Sequence, residues 1–223
     1  KEDSLNLSGS AKIKQSVIHS ESEEGGYLLL TLNVDMVNQP LCDDSQASQY
    51  KKKVAVLGSG IMGSRIACHF ANIGVKVLLL DIPPRELNEK EAAKGLSLED
   101  KHVRNRLVND HLQNALKSNP SPIYDKSFAS RITTGNFEDD MSKIKDVDWT
   151  IEVVVERLDI KKKVFDQVEE HRKPGTFISS NTSGIPIHLM TDGRSDDFKK
   201  YFCGTHFFNP PRYLELLEII PTK

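Results

Sequence analysis

The chain has 223 residues, a formal net charge of −2 and 28% charged residues. This length can bury one hydrophobic core, or one core with a small appendage. Because acidic and basic side chains nearly balance, neither nucleic acid nor a membrane surface is expected as a partner. No apolar stretch approaches the ~20 residues that a transmembrane helix needs. The 3 cysteines lie far apart without a CxxC pair, which indicates a reducing compartment and no structural zinc.

Residues 1–50 differ in composition from the rest of the chain. They open with a segment rich in Ser, Lys and Glu and close with a polar run at 42–50, while YLLLTL at 27–32 predicts a strand. We interpret residues 1–50 as an N-terminal arm that is partly disordered or is the remnant of an upstream module. Residues 51–223 are predicted to form one α/β domain.

From residue 51 onward, the apolar residues follow the spacing of alternating strands and helices. A strand at 54–57, a helix at 61–73 and a strand at 75–80 make a βαβ unit, which implies a parallel pair with a right-handed crossover. The pattern predicts a doubly wound, Rossmann-type α/β fold with a mainly parallel sheet. Later elements are predicted as strands at 131–134, 149–155, 176–179, 201–205 and 213–220 and a helix at 160–171.

A long insertion separates the second and third predicted strands, at 82–130. Its middle predicts a helix at 98–118 because apolar residues recur at helical spacing. These apolar positions are Val103, Leu107, Leu112 and Leu116. A minimal Rossmann unit does not need such an excursion, so the fold is predicted to carry a helical insertion after its second strand.

The segment GSGIMG at 58–63 has the GxGxxG pattern and stands between a predicted strand and a predicted helix. In this setting Gly58 allows the tight turn, Gly60 lets backbone amides approach a pyrophosphate, and Gly63 lets the helix lie close to the sheet. A glycine-rich surface turn is the alternative. The cofactor-binding residues predicted here are Gly58, Gly60, Ile61, Met62 and Gly63.

Asp81 ends the second strand, 18 residues after the last glycine of the loop. Its carboxylate would accept hydrogen bonds from the hydroxyls of the adenosine ribose and would repel a 2′-phosphate. The predicted cofactor is therefore NAD rather than NADP. Arg85 lies nearby and could recognise a phosphate, which keeps the NADP alternative open.

The NTSG segment at 181–184 follows a predicted strand. In a doubly wound sheet, the loops after the carboxyl ends of the strands line the ligand crevice. The side chains of Asn181 and Ser183 could therefore bind a substrate oxygen without adding charge. By itself the segment could equally be an ordinary Asn/Ser/Gly turn.

His206 and Glu218 are equidistant from Arg212, which follows a double proline. If the chain reverses there into two antiparallel strands, the two side chains face each other. The imidazole could then act as a general base, with the carboxylate fixing its tautomer. The alternative is a core histidine and an unrelated surface acid. Period-2 alternation would place the carboxylate on an apolar face, where burial demands a partner, together with Leu214, Leu216 and Ile220.

The other histidines show no comparable arrangement. His69, His102 and His111 lie on predicted helices without matched carboxylates at useful spacing. The remaining histidines, His19, His171 and His188, are interpreted as surface or loop residues. No pair has metal-ligand spacing with a third partner, so no metal site is predicted.

With these residues in hand, the chain closely resembles the 3-hydroxyacyl-CoA dehydrogenase family from Lys53 to its C-terminus. The matching segments are VAVLGSGIMGSRIA, IEVVVERLDIKKKVF, SSNTSGIPI and GTHFFNPPRYLELLEIIP. The resemblance implies reversible oxidation of an L-3-hydroxyacyl-CoA to a 3-ketoacyl-CoA with NAD, a step of fatty-acid β-oxidation. The chain is similar to a bacterial, multi-domain branch of the family, and this similarity implies a cytoplasmic location.

The same resemblance assigns roles to individual residues. His206 is implied as the general base and Glu218 as its partner, while Ser183 and Asn181 would bind the 3-oxygen of the substrate. Asn181 is also implied near the cofactor. Glu156 and Lys161 match positions that line the nicotinamide end of its site. The family places a helical domain after the position of Ile220, which would supply the homodimer contact and part of the acyl-CoA cleft.

Two residues depart from the family pattern: Val153 stands where alanine is frequent, and Gly184 replaces a frequent serine, which puts a hydrogen bond from that position in doubt. One alternative is an NAD-binding fragment without turnover of its own. Another is a β-hydroxyacid dehydrogenase of the 6-phosphogluconate type, which would share only the glycine loop. We also hypothesise that the inserted helix contacts CoA through Lys101, Arg104 and Arg106.

Overall fold

A computed structural model describes residues 14–20, 27–33, 53–214 and 216–222. The strands in these residues are β1 Lys14–Ser20, β2 Tyr27–Asn33, β3 Lys53–Leu57, β4 Lys76–Asp81, β5 Ile132–Asn136, β6 Trp149–Glu152, β7 Phe177–Ser180, β8 Phe202–Phe207 and β9 Leu217–Pro221. The α-helices are α1 Ile61–Asn72, α2 Glu89–Ala93, α3 Lys101–Arg104, α4 Arg106–Lys117, α5 Phe137–Asp140, α6 Leu158–His171, α7 His188–Thr191 and α8 Asp196–Lys200. Two short 3-10 helices are Lys126–Arg131 and Met141–Asp146.

The strands form one sheet in the order β1-β2-β9-β8-β7-β6-β3-β4-β5. From β5 to β8 every neighbouring pair is parallel, and β9, β2 and β1 continue the sheet antiparallel. The order reverses between β3 and β6, which is where ligands bind in doubly wound folds. The predicted Rossmann-type fold with a mainly parallel sheet is confirmed.

Strand β3 shows why the sheet is covered on both faces. Val54 and Val56 pack into one apolar cluster together with α1, whereas Ala55 and Leu57 pack into a second cluster together with α6. Alternate residues of a strand point to opposite faces, so a continuous apolar run is what a doubly covered strand needs.

The inserted helix predicted at 98–118 is two helices, because the chain breaks at Asn105 between α3 and α4. The side chain of Asn105 is buried and its Oδ1 accepts a hydrogen bond of 2.8 Å from Asn136 Nδ2. This contact holds the break against the end of β5. Val108 and Leu112 then bury one side of α4 in the core cluster that also contains α1.

The N-terminal region contributes two strands to the same sheet. The predicted strand at 27–32 is confirmed as β2, which pairs antiparallel with β9, and β1 is an additional strand that the sequence did not indicate. The polar run at 42–50 lies outside the described residues. The division at residue 50 into an arm and a domain stays a prediction. In the described part of the chain, no helix has the length and apolar character needed to cross a membrane.

Candidate active site

The glycine loop has the geometry that its three glycines predict. Gly58 has φ +103°, and a Cβ there would lie 2.6 Å from the carbonyl oxygen of Val153. A Cβ on Gly63 would lie 1.8 Å from the carbonyl oxygen of Gly58, so only glycine lets α1 start this close to β3. At Gly60, by contrast, an added Cβ would meet nothing within 4 Å.

The open space at Gly60 lies at the N-terminus of the 12-residue helix α1, where Ile61 and Met62 form the first turn. No side chain caps this end of the helix, and Ile61 is 72% exposed. The amides of a first helical turn have no intrahelical partners, and the helix dipole favours an anion there. This end of α1 therefore fits the pyrophosphate of a dinucleotide.

The two glycine positions make a matched pair for mutation. Gly63→Ala should lower the free energy of unfolding by about 1–3 kcal/mol and weaken NADH binding, because its Cβ must displace backbone. Gly60→Ala should keep wild-type stability, because its Cβ enters open space. Urea unfolding and NADH fluorescence titration measure both effects. Equal stability of Gly63→Ala and the wild type would contradict the close packing of α1.

Asp81 lies at the end of β4, facing the glycine loop, as predicted. Its Oδ2 accepts a hydrogen bond of 2.7 Å from the amide of Ser59 and a second from the Ser59 hydroxyl, while its Oδ1 accepts one of 2.7 Å from the amide of Ile82. The carboxylate is thus held at the position where a Rossmann fold binds the adenosine ribose.

His111 was expected to lack a matched carboxylate, and this expectation is wrong. Its Nδ1 lies 2.8 Å from Ser59 Oγ and 3.7 Å from Asp81 Oδ2. The contact exists because α4 packs back against α1, which brings His111 beside a carboxylate 30 residues earlier in the chain. Helical spacing within the insertion could not reveal it.

His206 and Glu218 face each other across β8 and β9, so the predicted cross-strand pairing is confirmed. His206 Nδ1 lies 2.8 Å from Glu218 Oε2. The expectation of a buried carboxylate on an apolar face is wrong, because the Glu218 side chain is 35% exposed. The predicted strand at 213–220 begins only at Leu217, since the amides of Tyr213 and Leu214 bond to Pro210 in the reversal.

The NTSG segment lies beside this pair. Ser183 Oγ is 3.2 Å from His206 Nε2, so the imidazole is held between a carboxylate on one nitrogen and a hydroxyl on the other. Asn181 accepts a hydrogen bond of 2.9 Å from the amide of Phe207 through its Oδ1. The amide nitrogen of the same side chain carries two further donor hydrogens.

Behind the NTSG segment lies a charged cluster of Lys161, Glu152 and Glu156. Lys161 Nζ lies 2.8 Å from Glu152 Oε1 and 3.2 Å from Glu156 Oε2. Lys161 and Glu152 have no exposed side-chain surface. The predicted place of Lys161 at the nicotinamide end of the cofactor site stays a prediction. Glu152 was not singled out from the sequence, although a Glu nine residues before Lys161 could have suggested a pair.

Glu156 connects that cluster to the NTSG segment. Its Oε1 accepts hydrogen bonds of 3.1 Å from the amides of Ser183 and Gly184, and another from the Thr182 hydroxyl. Burial raises the pKa of Glu156, but these bonds and the Lys161 cation outweigh it and hold the pKa at about 2. The carboxylate thus contributes its full stabilisation of the fold when the pH is above 4.5, the ordinary pKa of a glutamate. This contribution is lost as the pH falls towards 2.

The three basic residues that were hypothesised to contact CoA are mostly engaged within the protein. Arg104 Nη2 lies 2.7 Å from Glu138 Oε2, and Arg104 Nε lies 2.6 Å from Asp139 Oδ2. Arg106 forms an ion pair with Glu91. Both arginine side chains are only 16% exposed. These two arginines anchor the insertion, whereas Lys101 is exposed, and the contact of the three residues with CoA stays a hypothesis.

Two further observations concern the rest of the site. In the described residues, no group of three His, Cys, Asp or Glu side chains is arranged to hold a metal ion. Gly184, where the family often has serine, offers its amide to Glu156, and a Cβ there would meet nothing within 4 Å. The departure from serine therefore leaves the turn intact.

Comparison with known proteins identifies the family of the chain. Residues 53–223 match the family model described as 3-hydroxyacyl-CoA dehydrogenase, NAD binding domain. A Bacillus subtilis protein described as "Probable 3-hydroxyacyl-CoA dehydrogenase" is 58% identical over 172 residues, which cover 77% of this chain and 22% of that protein. A Deinococcus radiodurans protein with the same description is 48% identical over 171 residues, covering 77% of this chain and 45% of that protein.

Among solved structures, Mycobacterium tuberculosis FadB2 is similar with a TM-score of 0.50 and 25% identity. The match covers 71% of this chain and 50% of that one. The chain thus spans less than half the length of the two curated relatives.

Proposed function

Since the chain belongs to the 3-hydroxyacyl-CoA dehydrogenase family through its NAD-binding domain, we propose that it oxidises an L-3-hydroxyacyl-CoA reversibly to a 3-ketoacyl-CoA. The observation that supports this most directly is the position of His206 between Glu218 and Ser183. An imidazole with one nitrogen on a carboxylate and the other at a crevice is suited to take a proton from an alcohol.

In this proposal His206 Nε2 removes the proton of the 3-hydroxyl group. Glu218 accepts the Nδ1 hydrogen, which leaves Nε2 unprotonated before reaction and stabilises the imidazolium afterwards. The Ser183 hydroxyl and the amide nitrogen of Asn181 hold the substrate oxygen. NAD, when bound, supplies the acceptor for the hydride from C3.

We assign the cofactor to the edge of the sheet where the strand order reverses. The amides of Gly60, Ile61 and Met62 at the N-terminus of α1 would hold the pyrophosphate, and Asp81 would hold the adenosine ribose. Glu156 would contribute at the nicotinamide end through the segment it holds, and Lys161 would act only through Glu156. The charge of Asp81 favours NAD over NADP.

The wider role is also a proposal. The substrate class suggests fatty-acid β-oxidation, and bacterial relatives suggest a cytoplasmic enzyme. A helical domain beyond the described residues would complete the acyl-CoA cleft and provide the homodimer contact. The alternative is an NAD-binding fragment with little turnover: the chain matches only 22% and 45% of the length of its two curated relatives, and a poorly positioned substrate reacts slowly.

The test combines a binding and a rate measurement on the chain. We expect it to bind NADH, measured by fluorescence, and to oxidise NADH when acetoacetyl-CoA is added, measured by absorbance. Absence of NADH binding, or oxidation that ignores acetoacetyl-CoA, would contradict the proposal. Binding without turnover would support the alternative of an NAD-binding fragment.

A further inference from the structure

The corner beside Asp81 contains one side chain that the proposed function does not use. His111 approaches from α4, with its Nδ1 2.8 Å from Ser59 Oγ and 3.7 Å from Asp81 Oδ2. The His111 side chain is 42% exposed and Asp81 is 16% exposed. The histidine also lines a pocket at the N-terminus of α1, together with Gly60 and Arg65.

Counting hydrogens at this corner fixes the tautomer of His111. Ser59 has one hydroxyl hydrogen, which it donates to Asp81 Oδ2. Its oxygen must therefore accept from His111, so the Nδ1 of His111 carries a hydrogen. Protonation of the ring would then occur at Nε2 and would break no hydrogen bond at this corner. The residue can thus gain a positive charge next to Asp81 without rearrangement.

Charged groups come to the surroundings of His111 from several elements. Helix α1 contributes Arg65, whose guanidinium donates a hydrogen bond of 2.5 Å to Asn209 Oδ1, and β4 contributes Asp81. Strand β5, which also packs against α4, contains no titratable residue. Helix α3 also packs against α4 and contributes Lys101, His102 and Arg104, and α4 itself carries Asp110 next to His111. Among the described residues, Asp81 is the carboxylate that forms an ion pair with His111, at 3.7 Å.

We propose that His111 determines how strongly the site discriminates NAD from NADP, by adding or withholding a positive charge beside Asp81. This inference rests on the proposed placement of the adenosine ribose at Asp81. With neutral His111, the carboxylate repels a 2′-phosphate unopposed. With charged His111, the negative charge of the Asp81 carboxylate is offset, and the imidazolium can attract the 2′-phosphate. Because imidazole changes charge between pH 5 and 8, the discrimination should weaken as the pH falls.

The test measures the Kd of NADH and of NADPH at pH 8 and pH 5.5 for the chain and two variants. His111→Asn retains an amide N–H at the position of Nδ1 but cannot become charged. His111→Lys carries a charge at both pH values. In the wild type, the ratio of the NADPH Kd to the NADH Kd should fall by about tenfold on acidification. For His111→Asn the ratio should fall much less than in the wild type, and for His111→Lys it should be low at both.

The 2′-phosphate itself titrates near pH 6, which affects all three proteins alike, so the difference between wild type and His111→Asn isolates the histidine. Equal pH dependence in those two proteins would overturn the inference, as would a His111→Lys ratio equal to that of His111→Asn. Thermal unfolding of each variant checks that the substitution at this half-exposed position leaves the fold intact. Failure of the wild type to bind NADH at any pH would instead contradict the proposed function.

Discussion

His206→Gln should lower the rate of acetoacetyl-CoA reduction by about 10²–10⁴-fold, the usual contribution of a general acid–base group. Glutamine keeps a polar side chain between Ser183 and Glu218 but cannot exchange a proton with the 3-oxygen. NADH affinity should change by no more than about twofold, because His206 lies among the substrate-binding residues rather than at the glycine loop. Absorbance at the NADH band measures the rate, and NADH fluorescence measures the affinity.

His188→Gln provides the matched control, because His188 is exposed on α7 and makes no side-chain contact with the proposed site. Its rate should equal that of the wild type. Ser183→Ala should have an intermediate effect, since it removes only one hydrogen bond to His206 and the substrate. If His206→Gln kept the wild-type rate, or lost NADH binding to the same extent as activity, the base assigned here would be wrong.

Lys161→Met should lower the free energy of unfolding by about 3–5 kcal/mol, which is the usual effect of removing one partner of a buried ion pair. Lys161 and Glu152 are both fully buried, so the substitution leaves the Glu152 carboxylate buried without its cation. Methionine has a similar length and fits the apolar part of the same space. Urea unfolding of the chain, followed by fluorescence of its single tryptophan, measures the change.

Lys163→Met is the control, because Lys163 lies on the same helix α6 with an exposed side chain. Its stability should stay within about 0.5 kcal/mol of the wild type. The double variant Lys161→Met with Glu152→Gln should recover part of the loss, since no unpaired charge then remains buried. If the double variant were no more stable than Lys161→Met alone, the loss would come from packing rather than from the charge.

The residues of the candidate site were found from the sequence where a local rule connected them. The glycine loop was recognisable because its close contacts lie within one βαβ unit, and Gly58 and Gly63 approach each other across only a few residues. The pairing of His206 with Glu218 followed from two strands joined by a short reversal, where register is a matter of counting from Arg212. The roles of these side chains in catalysis and cofactor binding stay predictions.

Other features could not be found in this way. The burial of Lys161, the ion pairs of Arg104 and Arg106, and the break at Asn105 each depend on segments that meet only after folding. Glu218 was expected to be buried because the alternating strand pattern was taken to include Leu214. In the structure Leu214 belongs to the chain reversal, and β9 begins only after it. The spacing of residues along the chain does not show where a strand begins or which distant segments meet.

The sequence by itself determined the first strand–helix–strand unit, the glycine loop at its crossover and the antiparallel partner of His206, because each follows from short-range periodicity and chirality. Only the tertiary structure decided that His111 reaches Asp81 and that Glu156 connects the NTSG segment to the buried pair of Lys161 and Glu152. Those contacts join elements far apart in the chain. Their existence depends on how helices pack on the sheet, where burial and charge compensation, rather than local spacing, select the partners.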